Sequence, residues 1–98
     1  QAFKLHSQGN ISAASKYYEN LIDQGFKDHR VLSNYGTILK SLGKSKQAEL
    51  LQRSAIELKP DFAEAHSNLG NILSDLGKFK EAEISLRKGT LQSGKYIK

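Results

Sequence analysis

The sequence contains no cysteine, which excludes disulfides and thiolate metal sites. It has a single proline, Pro60, set between two stretches of strongly helical character. No apolar run approaches the ~18 residues needed to cross a membrane, and strand-like alternation of apolar and polar residues is missing. No block of five like charges occurs. The aromatics do not interleave with basic residues as stacking platforms for bases would. Neither a nucleic acid nor a membrane is therefore expected as a partner. The 98 residues make one small domain. The chain opens on Gln1, shows no signal-peptide pattern and reads as an excised segment, so the cytoplasm is the default location. Fifteen Lys and Arg against ten Asp and Glu give a formal net charge of +5. These cations run from Lys4 to Lys98 among the acids, the pattern of a soluble surface with a positive bias.

What the chain does have is a period of 34 residues. Gly36, Leu39, Gly43, Lys44, Ala48 and Glu49 recur as Gly70, Leu73, Gly77, Lys78, Ala82 and Glu83, and a fainter copy shows at Leu5, Gly9 and Ala14. A fixed period of this size marks a stacked-repeat solenoid, whose units bury their apolar faces on one another. Gly9, Gly43 and Gly77 each follow an amphipathic run, the place of a left-handed helix end. The simplest parse alternates A helices, near 1–8, 29–42 and 62–76, with B helices near 11–24, 45–58 and 79–92.

Local signals fit this parse. Asn10 and Ser45 are placed to cap B helices, Asp28 to cap the second A helix, and Asp61 with Glu64 to form a capping box for the third. Gly36 and Gly70 fall mid-helix, where glycine costs ~1 kcal/mol relative to alanine. A repeated cost implies a repeated gain: close approach of A and B helices, with Ala48, Ala82 and Ala55 as small partners. Tyr17, Tyr18, Leu51, Phe79 and Leu86 are expected to fill the space between successive pairs.

The third copy, Ala63-Glu64-Ala65-His66-Ser67-Asn68-Leu69-Gly70-Asn71 with Gly77-Lys78-Phe79 and Glu81-Ala82, resembles the tetratricopeptide repeat. The second copy matches through Leu32, Tyr35-Gly36, Leu39, Gly43, Ala48, Ala55 and Pro60. Departures are Ala2 where glycine is usual, Gln52 where a large apolar residue is common, His66 for a bulky aromatic, Gly89 for alanine and Gly94 for the closing proline. The resemblance implies an all-α, right-handed superhelical solenoid of helix–turn–helix units. One domain over 1–98 would hold an incomplete repeat at 1–28, a second at 29–62 and a third, degenerate at its end, at 63–96.

In such a stack the A helices line the concave side. The residues expected there are Arg30, Ser33, Asn34, Thr37, Lys40 and Ser41, then Glu64, Ser67, Asn68, Asn71, Ser74 and Asp75, with Phe3, His6 and Ser7 ahead of them. Asn34 and Asn68 hold equivalent places, and an amide offers both donor and acceptor to a peptide of any sequence. They resemble the asparagine ladder of O-linked N-acetylglucosamine transferase, though they could equally be tolerated surface residues or bond the adjacent helix. The carboxylate clamp of co-chaperones needs cations where this chain has Glu64 and Asn68, and Glu64 repels a carboxylate. His6, His29 and His66 share no spacing that converges on a metal, and no glycine loop cradles a phosphate. Glu49, Glu57, Glu81 and Glu83 read as ordinary solvated charges.

The expected function is a non-enzymatic protein-interaction scaffold with no cofactor and no metal. It would bind a peptide or partner helix through Arg30, Ser33, Asn34, Thr37, Lys40, Glu64, Ser67, Asn68, Asn71 and Asp75, with Arg30 and Lys40 tuning charge preference. The alternatives are a structural segment that self-assembles into a homo-oligomer through exposed repeat ends, or the targeting arm of a larger transferase-type enzyme.

Overall fold

A computed structural model describes residues 11–93, and these form five helices without a strand. They are α1 (Ile11–Asp23), α2 (His29–Ser41), α3 (Ser45–Leu58), α4 (Ala63–Asp75) and α5 (Phe79–Ser93). In the sequence parse α2 and α4 are A helices and α1, α3 and α5 are B helices, with bounds shifted by one residue at most. The expected helix near 1–8, the Asn10 cap and the residues Ala2, Phe3, His6, Ser7, Gly9 and Gly94 lie outside the described residues.

Helix ends show which local signals hold. Asp28 sits at extended φ/ψ and its Oδ1 accepts from the Arg30 amide at 2.7 Å, capping α2 as its residue type suggests. At the other end of α2, Gly43 turns left-handed at φ +80°. The Lys44 amide then reaches Leu39 O at 2.8 Å and the Gly43 amide reaches Lys40 O at 2.9 Å. Gly77 repeats this closure after α4 at φ +79°, with Lys78 bonding Leu73 O. Only glycine enters that region without a Cβ penalty.

Two expected caps fail. Lys44, not Ser45, is the N-cap of α3 and gives no side-chain bond; Ser45 is already the first helical residue. Phe62, not Asp61, precedes α4, and Asp61 instead pairs with Lys59 at 3.1 Å while Glu64 points to solvent.

The core repeats with the period. Ile38 of α2 is fully buried against Ala14 and Tyr18 of α1, and Ile72 of α4 is fully buried against Ala48 of α3 and Leu39 of α2. Each such isoleucine contributes ~1.5–3 kcal/mol by leaving water. Ala55 meets Leu32 and Ala65, closing a third cluster. The mid-helix glycines lie where helices cross. A Cβ on Gly36 would stand 3.4 Å from Ala48 O, and one on Gly70 would stand 3.1 Å from Ala82 O. Gly89, where alanine was expected, abuts Ser67 and Ala63 O, so even a methyl group would crowd α4 there.

Tyr18 and Leu51 do pack between pairs, but Phe79 is 68% exposed and Leu86 and Tyr17 are about 40% exposed. Phe79 and Leu86 lie on α5, on which no further described helix packs. Glu49 is also not an ordinary solvated charge. It is buried between Arg53 at 2.9 Å and Lys78 at 3.6 Å, and Arg53 reaches on to Glu81 of α5.

Candidate functional site

Cα atoms of α2 and α4 approach within 8 Å, while no Cα of α3 comes that near α5. The A helices of successive pairs therefore lie nearer one another than the B helices α3 and α5 do. At the spacing that aligns side chains on one helical face, α2 presents Arg30, Asn34, Thr37 and Ser41. One period on, α4 presents Glu64, Asn68, Asn71 and Asp75.

Beneath these rows lies a connected polar network. Gln52 of α3 is fully buried; its Nε2 donates to Ser33 O at 2.9 Å and its Oε1 accepts from Ser33 Oγ at 2.8 Å. Ser33 Oγ in turn accepts from Asn68 Nδ2 at 3.2 Å, and Thr37 Oγ1 accepts from the same amide at 3.3 Å. Thr37 passes its own proton to Ser33 O at 3.1 Å. Asn34 repeats the gesture one unit earlier, its Nδ2 donating to Tyr18 Oη at 3.3 Å. No buried side-chain nitrogen or oxygen among the described residues lacks a partner, so the network is complete.

The expected site residues thus divide. Asn34, Thr37, Ser67 and Asn68 are half-buried on the A-helix face, and Arg30, Glu64, Asn71 and Asp75 are exposed. Ser33 is a correction: it is fully buried and serves the network, because it faces α3 across Gln52. Arg30 and Lys40, expected to tune charge preference, each have an acid beside them. Arg30 forks onto Asp28 at 3.1 and 3.2 Å, and Lys40 pairs with Asp75 at 3.3 Å. The Arg30 hydrogen bonds hold the Asp28 carboxyl at about 2, below its ordinary 3.8, which marks a settled pair.

Both asparagines bond the preceding unit through nitrogen. Their Oδ1 atoms have no protein partner among the described residues, and the satisfied buried inventory means that these oxygens reach solvent.

The residues missed by spacing alone are Tyr18 and Gln52. They occupy the same place in the period, with Leu86 third: Tyr18 supports the A helix that follows it, Gln52 bonds the one that precedes it, and Leu86 lies against Gly70 of the preceding α4. The departure at Gln52 was the available signal. His66 is buried, and its Nε2 lies 2.7 Å from Pro60 O. No group of three or more His, Cys, Asp or Glu able to hold a metal occurs among the described residues. Two cavities lie off the A-helix face. One of about 540 Å³ runs between α3 and α5 over His66 and Leu69, and one of about 300 Å³ lies along α5 beside Glu83, Leu86, Arg87 and Thr90.

Two tetratricopeptide repeat models match the sequence, one over residues 29–62 and one over 51–84. The chain belongs to the tetratricopeptide repeat family. The second frame starts inside α3 and ends in α5, so the tetratricopeptide repeat register runs unbroken through three helices. Solved structures agree on the fold. The second TPR of Spaghetti (RPAP3), bound to HSP90 peptide SRMEEVD, matches with a TM-score of 0.87 and 21% identity over 93% of this chain and 84% of that one. The first TPR of Spaghetti, bound to the same peptide, gives 0.90 and 21% over 98% and 76%. The Sgt2 TPR domain from Aspergillus fumigatus gives 0.87 and 22% over 95% and 62%. No curated protein matches the sequence.

Proposed function

We propose that this protein is a non-enzymatic interaction scaffold, a solenoid of repeats at 1–28, 29–62 and 63–96, that receives an extended peptide along α2 and α4. The observation that carries this reading is the pair Asn34 and Asn68. Each amide is fixed by its nitrogen and leaves its oxygen open, one repeat apart. Fixed acceptors on a stiff face can take backbone N–H groups from an extended chain with little entropy left to lose. The two Spaghetti structures hold a peptide on the same fold, which supports a peptide as the class of ligand. Asn71, exposed one turn beyond Asn68, adds a third amide.

The test is titration of a binding peptide, selected from an octapeptide array, against the Asn34→Ala, Asn68→Ala double variant. Two lost hydrogen bonds at ~1 kcal/mol each predict a roughly thirtyfold weaker Kd. Unchanged affinity in a variant that keeps its helical circular dichroism refutes the role of the asparagines.

A second reading, association through the repeat end, rests on α5, where Phe79, Ile84 and Leu91 are more than half exposed. Light scattering over a hundredfold concentration range tests it. A mass that climbs with concentration, and falls back in Leu86→Glu, supports association; a constant monomer mass refutes it.

A further inference from the structure

The whole molecule carries a net charge of +5, whereas the two A helices with the Asp28 cap of the first sum to −1. The two A helices carry four full charges: Arg30, Lys40, Glu64 and Asp75. Arg30 pairs with Asp28 and Lys40 with Asp75, so each cation has an acid beside it. Glu64 has no ion pair among the described residues and is exposed. The B helices balance, six cations against six acids, so the positive surplus lies outside the described helices, with Lys27, Lys44, Lys59 and Lys78 on the turns.

Hydrogen-bonding capacity is just as lopsided. At the level of Asn68 the donors are consumed: its amide nitrogen serves Ser33 and Thr37, the Ser33 hydroxyl serves Gln52, and the Thr37 hydroxyl serves Ser33 O. At Glu64 and Asn68, one helical turn apart on one face of α4, the open groups are acceptors, the carboxylate and Oδ1, with the Asn71 amide one turn further on.

Resting on the groove reading above, we infer that this face selects peptides that donate: segments placing a Lys or Arg side chain against Glu64 and a backbone N–H against Asn68. An acidic peptide, such as the one held by the Spaghetti domains, meets no unpaired cation on these two helices. Ser33 and Gln52 act as positioning residues, because they hold the Asn68 nitrogen inward and so turn its oxygen to the ligand.

The experiment uses the full chain on an array of random octapeptides, acetylated and amidated to remove terminal charge, at low salt. The molecule's net charge of +5 by itself favours acidic peptides, so it biases the array against the inference. The expected result is enrichment of Lys and Arg over Asp and Glu by about two- to fivefold per position, the range of an exposed ion pair. The enrichment should fade with salt, vanish in Glu64→Gln and reverse in Glu64→Lys. Binding that needs Asn34 and Asn68 but shows no preference, or an acidic one, overturns the inference and leaves the groove reading standing. No bound peptides, or binding indifferent to both asparagines, overturns the groove reading and the inference with it.

Discussion

Replacing Gly36 with alanine sets two effects against each other, and the structure decides the sign. Alanine gains ~1 kcal/mol of helix propensity over glycine. Its Cβ, however, would stand 2.7 Å from Gln52 Nε2 and 3.3 Å from Gln52 Cδ. Gln52 has no room to retreat: it is fully buried and pinned to Ser33 by bonds of 2.9 and 2.8 Å. Displacing the amide strands buried polar groups at ~1–3 kcal/mol, and overpacking adds ~1–3 kcal/mol. The net expectation is a loss of about 3 kcal/mol. For a domain of this size that lowers Tm by roughly 15 °C. Urea unfolding followed by circular dichroism reads the loss directly. The control is Gln52→Ala, which removes the obstacle and leaves Ala48 O, at 3.4 Å, in ordinary contact. In that background Gly36→Ala should be neutral or stabilising by up to ~1 kcal/mol. A Gly36→Ala protein as stable as the parent, or one equally damaged in both backgrounds, would refute the reasoning.

Asp28→Ala removes the α2 cap and should cost ~1 kcal/mol at neutral pH. The folded carboxyl is held at about 2 against an ordinary 3.8, so this contribution is full above about pH 5 and is lost as pH falls toward 2. The gap between parent and variant in urea midpoint should close over that window. Glu49→Gln leaves Lys78 unpaired and Arg53 with Glu81 alone, and should cost ~1 kcal/mol in low salt and less at 1 M salt. Denaturation series at the two salt concentrations would show the difference.

Period and glycine spacing carried most of the fold. Helix bounds could be read because apolar residues and turn glycines recur together, and Gly36 and Gly70 announced the crossings by their cost. Caps were harder. Ser45 and Asp61 each lie one position from the residue that opens a helix, and short polar residues around a turn do not mark which one will be the cap. The polar interior escaped for a different reason. Ser33 and Gln52 look like two surface residues until α2 and α3 bring them to 2.8 Å. The local charge of the A-helix face likewise depends on Lys40 meeting Asp75, 35 positions away, whereas composition reports only the total. Glu49 passed for a surface acid because its burial comes from residues on two other segments, Arg53 and Lys78.

The central claim is that ligand lies along α2 and α4 and is held by open asparagine oxygens. The most direct measurement is an amide NMR titration of the labelled chain with a peptide selected from the array, following side-chain as well as backbone signals. The account predicts the largest shifts at Asn34, Thr37, Asn68 and Asn71, with both asparagine side-chain amides moving in step with saturation. Shifts gathered instead around Leu50, Ser54 and Lys88 between α3 and α5, or around Leu86 on α5, would contradict it.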